Sequence, residues 1–134
     1  SMKKIFLFSL TAAFGALALA GFPVTASAEA PDLRGVWKGQ NNTVSVQEGY
    51  RHREKSINIT DQKGRRFKGT VDYGDGINSF VGVLRGDSKS FIWVDIKNDG
   101  HVYGTLLSPG VMEACYANTG SAAVAGCAIL MQQP

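Results

Sequence analysis

Apolar and polar residues alternate with a period of two along most of this chain after residue 33, in short runs bounded by Gly, Asn, Asp and Pro. That period belongs to β-strands, whose successive side chains point to opposite faces. The alternation predicts strands at 34–39, 43–47, 55–60, 66–73, 77–85, 90–97, 101–108, 111–117 and 123–132, with the polar stretch 48–54 read as a loop. Turns rich in Asp, Asn and Gly separate them at 61–64, 74–76, 86–88, 98–100 and 118–120, the spacing of antiparallel hairpins. No window holds a helical period over a dozen residues, and the connections are too short for parallel crossovers. The expected fold is all-β: a small antiparallel up-and-down barrel of about eight strands, with a β-sandwich as the alternative.

The same period assigns faces. In 66–73 the polar set Arg66, Lys68, Thr70, Asp72 alternates with Phe67, Gly69, Val71 and Tyr73, which are expected inside. Carrying the pattern forward places Phe80, Gly82 and Leu84, then Ile92, Val94 and Ile96, then Val102, Gly104 and Leu106 on the inner face. With Trp37, the residues Phe67, Tyr73, Phe80, Ile92, Val94 and Leu106 form the candidate lining for a small apolar ligand, if the core is not simply filled. The mid-strand glycines 69, 82 and 104 suit either tight bends of a narrow barrel or space for a bulky neighbour.

On the nominally outer face stand Phe91, Trp93 and Tyr103, with Val81 and Val83 beside them. A contiguous apolar patch there is a candidate interface for a homo-oligomer or a protein partner. Both faces of 90–97 are apolar, so the inverse assignment, with Phe91 and Trp93 inside, stays open.

Before the strands lies a different pattern. Lys3 and Lys4 precede an apolar run of 16 residues, 5–20, and Ala26-Ser27-Ala28 follows. A charged start, a short apolar stretch and an A-x-A site make residues 1–28 an expected signal peptide, with Ser1 an addition ahead of Met2. The run is shorter than the roughly 20 residues that span a bilayer. The expected domain is then 29–134, periplasmic or secreted, with no transmembrane segment after removal of the leader.

Loss of the leader leaves 12 basic and 11 acidic residues, so the overall basicity is no argument for nucleic acid. The charge is uneven. Arg51, Arg53, Arg65 and Arg66 form a candidate anion-binding cluster, should the 48–54 segment fold near the 61–65 turn. Cys115 and Cys127 are the only cysteines, and in an exported chain an even count favours a disulfide, here across the last hairpin. The two His are isolated, which argues against a metal site, and nothing indicates a cofactor. Asp95 and His101 flank one turn and could pair for acid/base work, yet no nucleophile motif accompanies them. A non-enzymatic role is expected.

Gly35-Val36-Trp37 on the first strand, followed by a run of hairpins, resembles the opening of the calycin superfamily of lipocalins and avidins. The likeness covers a three-residue motif and the strand count. It implies a closed barrel that binds a ligand. The stretch from Gly104 to Tyr116 is similar to that of small uncharacterised exported bacterial proteins with the same start, and it implies the fold without an activity.

Overall fold

In the computed structural model, residues 29–72, 74, 76–97 and 99–134 are described; the leader and Tyr73 lie outside them. Eight strands follow one another: β1 (Gly35–Ser45), β2 (Gly49–Lys63), β3 (Arg66–Asp72), β4 (Ile77–Leu84), β5 (Ser90–Asp95), β6 (His101–Ser108), β7 (Val111–Asn118) and β8 (Val124–Gln132). Each pairs antiparallel with the next, and β8 returns to β1, closing the barrel. Closure leaves no unpaired edge. The up-and-down barrel expected from the alternation is the fold observed.

The polar stretch 48–54 is not a loop. β1 continues through 43–45 and β2 begins at Gly49, so Thr43 pairs with Arg51 and Asn41 with Arg53 in an unbroken ladder. Its polarity reflects what the barrel holds at that end, not a lack of strand.

Parity around β4 to β6 corrects the inner set. Phe91 and Trp93 are buried inside, whereas Ile92 and Val94 are 41% and 45% exposed on the outer wall. The reason lies in the register: Trp93 stands opposite Gly82 and Val102, and Phe91 opposite Gly104. The inner glycines make room for rings. A Cβ on Gly82 would lie 2.5 Å from the Phe67 ring, and one on Gly104 would lie 2.2 Å from the Phe91 ring. Of the two roles open for these glycines, space for a bulky neighbour is the one the structure shows.

Phe91 and Trp93 stack in parallel, Phe80 stacks on the other side of the indole, and Phe67 meets all three edge-on. These rings, with Trp37, Ile57, Ile59, Val71, Leu84 and Leu130, fill the half of the barrel toward the β2–β3 and β4–β5 turns. Leu106 packs against that core half-buried.

That end is also sealed. Leu33 is buried beneath the barrel, its carbonyl accepts the indole N–H of Trp37, and its own N–H donates to the Gln62 side chain, which in turn donates to Pro31 O.

Cys115 and Cys127 face each other in the β7–β8 register and are bonded. Closing a loop with a sequence separation of 12 stabilises by about 2–3 kcal/mol in the chain-entropy account. Cys127 is exposed, so reductant reaches the bond in the folded state. Reduction is expected to lower the unfolding free energy by that amount, read from the urea midpoint at constant slope, without changing far-ultraviolet circular dichroism in buffer.

Candidate functional site

The sealed aromatic half leaves the other half of the barrel, at the end of the β1–β2, β3–β4, β5–β6 and β7–β8 connections, to a different chemistry. On β2 the inward parity of Ile59 and Ile57 continues to Lys55, Arg53 and Arg51. On β1 the parity of Trp37 continues through Gly39 to Asn41, Thr43 and Ser45. Both strands thus change from apolar to polar at the same level. They enclose, with Asn78 of β4 and Tyr116 of β7, an open cavity of about 500 Å³, within the range of small-molecule sites.

Three cations stand along one wall of this cavity. Arg53, between Arg51 and Lys55 on β2, is exposed and, among the described residues, forms no ion pair. Arg51, nearer the β1–β2 turn, is half-buried, is paired through one guanidinium nitrogen with Glu48 and, among the described residues, keeps a buried Nε–H without a partner. Asn41, opposite Arg53 in the ladder, likewise has a buried Oδ1 without one. Buried polar atoms are ordinarily satisfied, so among the described residues this wall offers an unused donor and an unused acceptor, on diagonal positions of the β1–β2 ladder. Gly126 keeps the wall open, since a Cβ there would meet the Thr43 hydroxyl at 2.6 Å.

Lys55 forms the floor. It is 3% exposed, stands opposite Gly39, and holds its ammonium 5.9 Å from the centre of the Trp93 ring. Burial pulls its pKa down from the ordinary 10.5 to about 8, and the buried Asp95 carboxylate counters part of that shift. Tyr116 is pushed the other way: burial first, and Asp95 second, raise its hydroxyl above the usual range, against a hydrogen bond with Asn118.

The expected site residues divide accordingly. Trp37, Phe67 and Phe80 face inward, as does half-buried Leu106, and the three aromatic residues are buried in the filled core. Ile92 and Val94 do not line the interior. Of the anion cluster, Arg51 and Arg53 line the cavity, but Arg65 and Arg66 lie at the opposite, sealed end, because β2 carries the chain the length of the barrel between them.

The outer patch loses Phe91 and Trp93 to the core. It retains Val81, Val83 and Tyr103 and gains Ile92 and Val94, with Val83, Ile92 and Tyr103 in one register row. Asp95 and His101 do not meet. Asp95 points inward, while His101 is exposed on the wall with its ring against Tyr103.

Sequence reasoning missed Lys55, Asn41 and Tyr116. For Lys55 the signal was present: extending the parity of Ile57 and Ile59 backward by two residues places its side chain inside.

No protein-family model matches the chain, and no curated protein matches it. Among solved structures it is similar to a protein of unknown function from the DUF3598 family of Nostoc punctiforme, with a TM-score of 0.58 and 14% identity over 85% of this chain. The chain spans 53% of that protein's length, about half. At this identity the likeness shows the fold: a closed antiparallel barrel of eight strands, shared with a protein whose own function is unknown.

Proposed function

We propose that the protein is an exported, non-enzymatic binding barrel that takes a small anionic solute, carrying carboxylate or phosphate, into its open end. One observation carries this reading: the inward column Arg51–Arg53–Lys55 on the wall of an open cavity whose floor is closed by packed rings. An anion entering there exchanges water for charge-assisted hydrogen bonds, the stronger kind, in a half-enclosed space where they are less screened. The Nε–H of Arg51 supplies one donor, and Arg53 supplies a fork that, among the described residues, is in no ion pair. Asn41 Oδ1 can accept from a hydroxyl or amine on the same ligand.

The polar lining favours such a solute over the small apolar ligand expected at first, since the apolar half of the barrel is occupied by its own side chains. Ligand binding in a barrel is also what the calycin resemblance implies. The disulfide is compatible with the oxidising compartment of an exported protein.

The test is calorimetric titration, at low ionic strength, with acetate, malate, citrate and inorganic phosphate. Saturable binding of at least one is expected, and Arg53→Ala should weaken it by about tenfold or more, the worth of one hydrogen bond to a charged group. Absence of binding to all four, or an unchanged affinity in Arg53→Ala, would refute the assignment.

A further inference from the structure

The sealed end of the barrel carries a second concentration of charge, far from the cavity. The β2–β3 turn presents Lys63, Arg65 and Arg66, and the β4–β5 turn presents Arg85 and Lys89; all five are exposed. The two turns touch. Leu84 N–H donates to Arg65 O, and the Arg65 guanidinium lies 3.7 Å from where a Cβ on Gly86 would stand. Lys89 O in turn accepts from Leu106 N–H, which ties the cluster to the end of β6.

Among the described residues none of these five cations is in an ion pair. Of the neighbouring acids, Asp61 pairs with Lys68 and Asp32 with Arg34. Asp87, between Arg85 and Lys89, accepts from the backbone N–H groups of Lys89 and Ser90 and from the Ser90 hydroxyl. The turn is therefore fixed from within, and five cations face outward against one carboxylate.

Two further features give this tip a direction. Leu107 and Met131 are 54% and 57% exposed beside it, on the neighbouring strand ends. The chain also enters the fold here: Ala30 packs on the core and Leu33 plugs this end, and in sequence both follow the apolar run 5–20.

We propose that the sealed end is a docking surface for an anionic phospholipid membrane, with the cationic turns on the headgroups, Leu107 at the interface, and the cavity mouth turned away toward solvent. Basic clusters are drawn to anionic leaflets over a Debye length, each charge adding to the attraction, and an apolar side chain at the rim adds contact with the acyl boundary. The proposal is independent of the anionic solute, because the cavity and the tip share no residue.

The test is sedimentation of the barrel domain, residues 29–134, with vesicles of phosphatidylcholine alone and of phosphatidylcholine with one third phosphatidylglycerol. Binding to the anionic vesicles only is expected, falling as salt is raised. Arg65→Glu with Arg85→Glu should lower it by about tenfold or more, and Leu107→Asp should lower it less. Both changes are at exposed positions, and an unchanged urea midpoint verifies folding. Failure to bind anionic vesicles would overturn the proposal, as would binding that the double variant leaves intact. Capture of soluble polyphosphate without vesicle binding would overturn it too, in favour of a soluble polyanion.

Discussion

Replacing Gly104 with alanine is expected to destabilise the barrel by about 3 kcal/mol, the upper end of what overpacking a core costs. The added methyl would stand 2.2 Å from the Phe91 ring and 2.3 Å from the carbonyl oxygen of Glu113. Neither neighbour has room to yield. Phe91 is fixed by its stack on Trp93 and its edge contact with Phe67, and the Glu113 carbonyl belongs to the adjoining strand of the ladder. Trimming the ring therefore relieves only half of the conflict, so Phe91→Leu should not rescue Gly104→Ala. Gly86→Ala is the control. Its Cβ meets only the flexible end of Arg65, at 3.7 Å, and its stability should stay within about 0.5 kcal/mol of the parent. Urea midpoints at constant slope measure both.

The same glycines explain how far the sequence could be read. Period two located the strands where it holds, and the turns after β2 announced themselves chiefly through Gly, Asn and Asp; the first turn, Val46-Gln47-Glu48, did not, and the start of β2 read as a loop. Which face is inside was legible only where the two faces differ. Arg66–Asp72 places four polar residues against Phe67, Gly69 and Val71, and its inner face was readable. In Ser90–Asp95 both faces are apolar, and choosing between Phe91 with Trp93 and Ile92 with Val94 requires the register with Gly82 and Gly104. Pairing across strands is not written in either strand alone.

The candidate site was hidden for a related reason. An inward polar residue breaks the rule that the inner face is apolar, so Arg51 and Arg53 looked like loop residues and Lys55 like solvent-facing polarity. A barrel that is packed at one end and wet at the other obeys the rule over half its length. The break in the hydrophobic pattern along β1 and β2 marks where the core stops and the cavity begins.

That boundary has a titration signature, and it is the second large effect. Lys55 lies buried between the rings and the cavity with its pKa lowered to about 8, chiefly by burial, whereas in the unfolded chain it returns to 10.5. Below pH 8 both states hold the proton, and the cost of burying the ammonium is carried in full. Between 8 and 10.5 the unfolded chain holds a proton that the folded one has released, so stability rises with pH in that window. The whole difference corresponds to roughly 3 kcal/mol. Tyr116 acts in the opposite sense: with its pKa raised in the fold, the unfolded tyrosine ionises first, and stability falls once the pH passes its ordinary value of 10. The expected profile, from urea unfolding at intervals from pH 7 to 11, climbs from 8 and turns over near 10. Lys55→Met removes the climb. At pH 7 the same variant also leaves the buried Asp95 without the Lys55 charge, a cost that offsets part of what removing the buried ammonium gains. Lys55→Met with Asp95→Asn should recover most of that cost. A parent profile flat from pH 7 to 10, or a climb that Lys55→Met leaves in place, would show that Lys55 does not titrate from within the barrel.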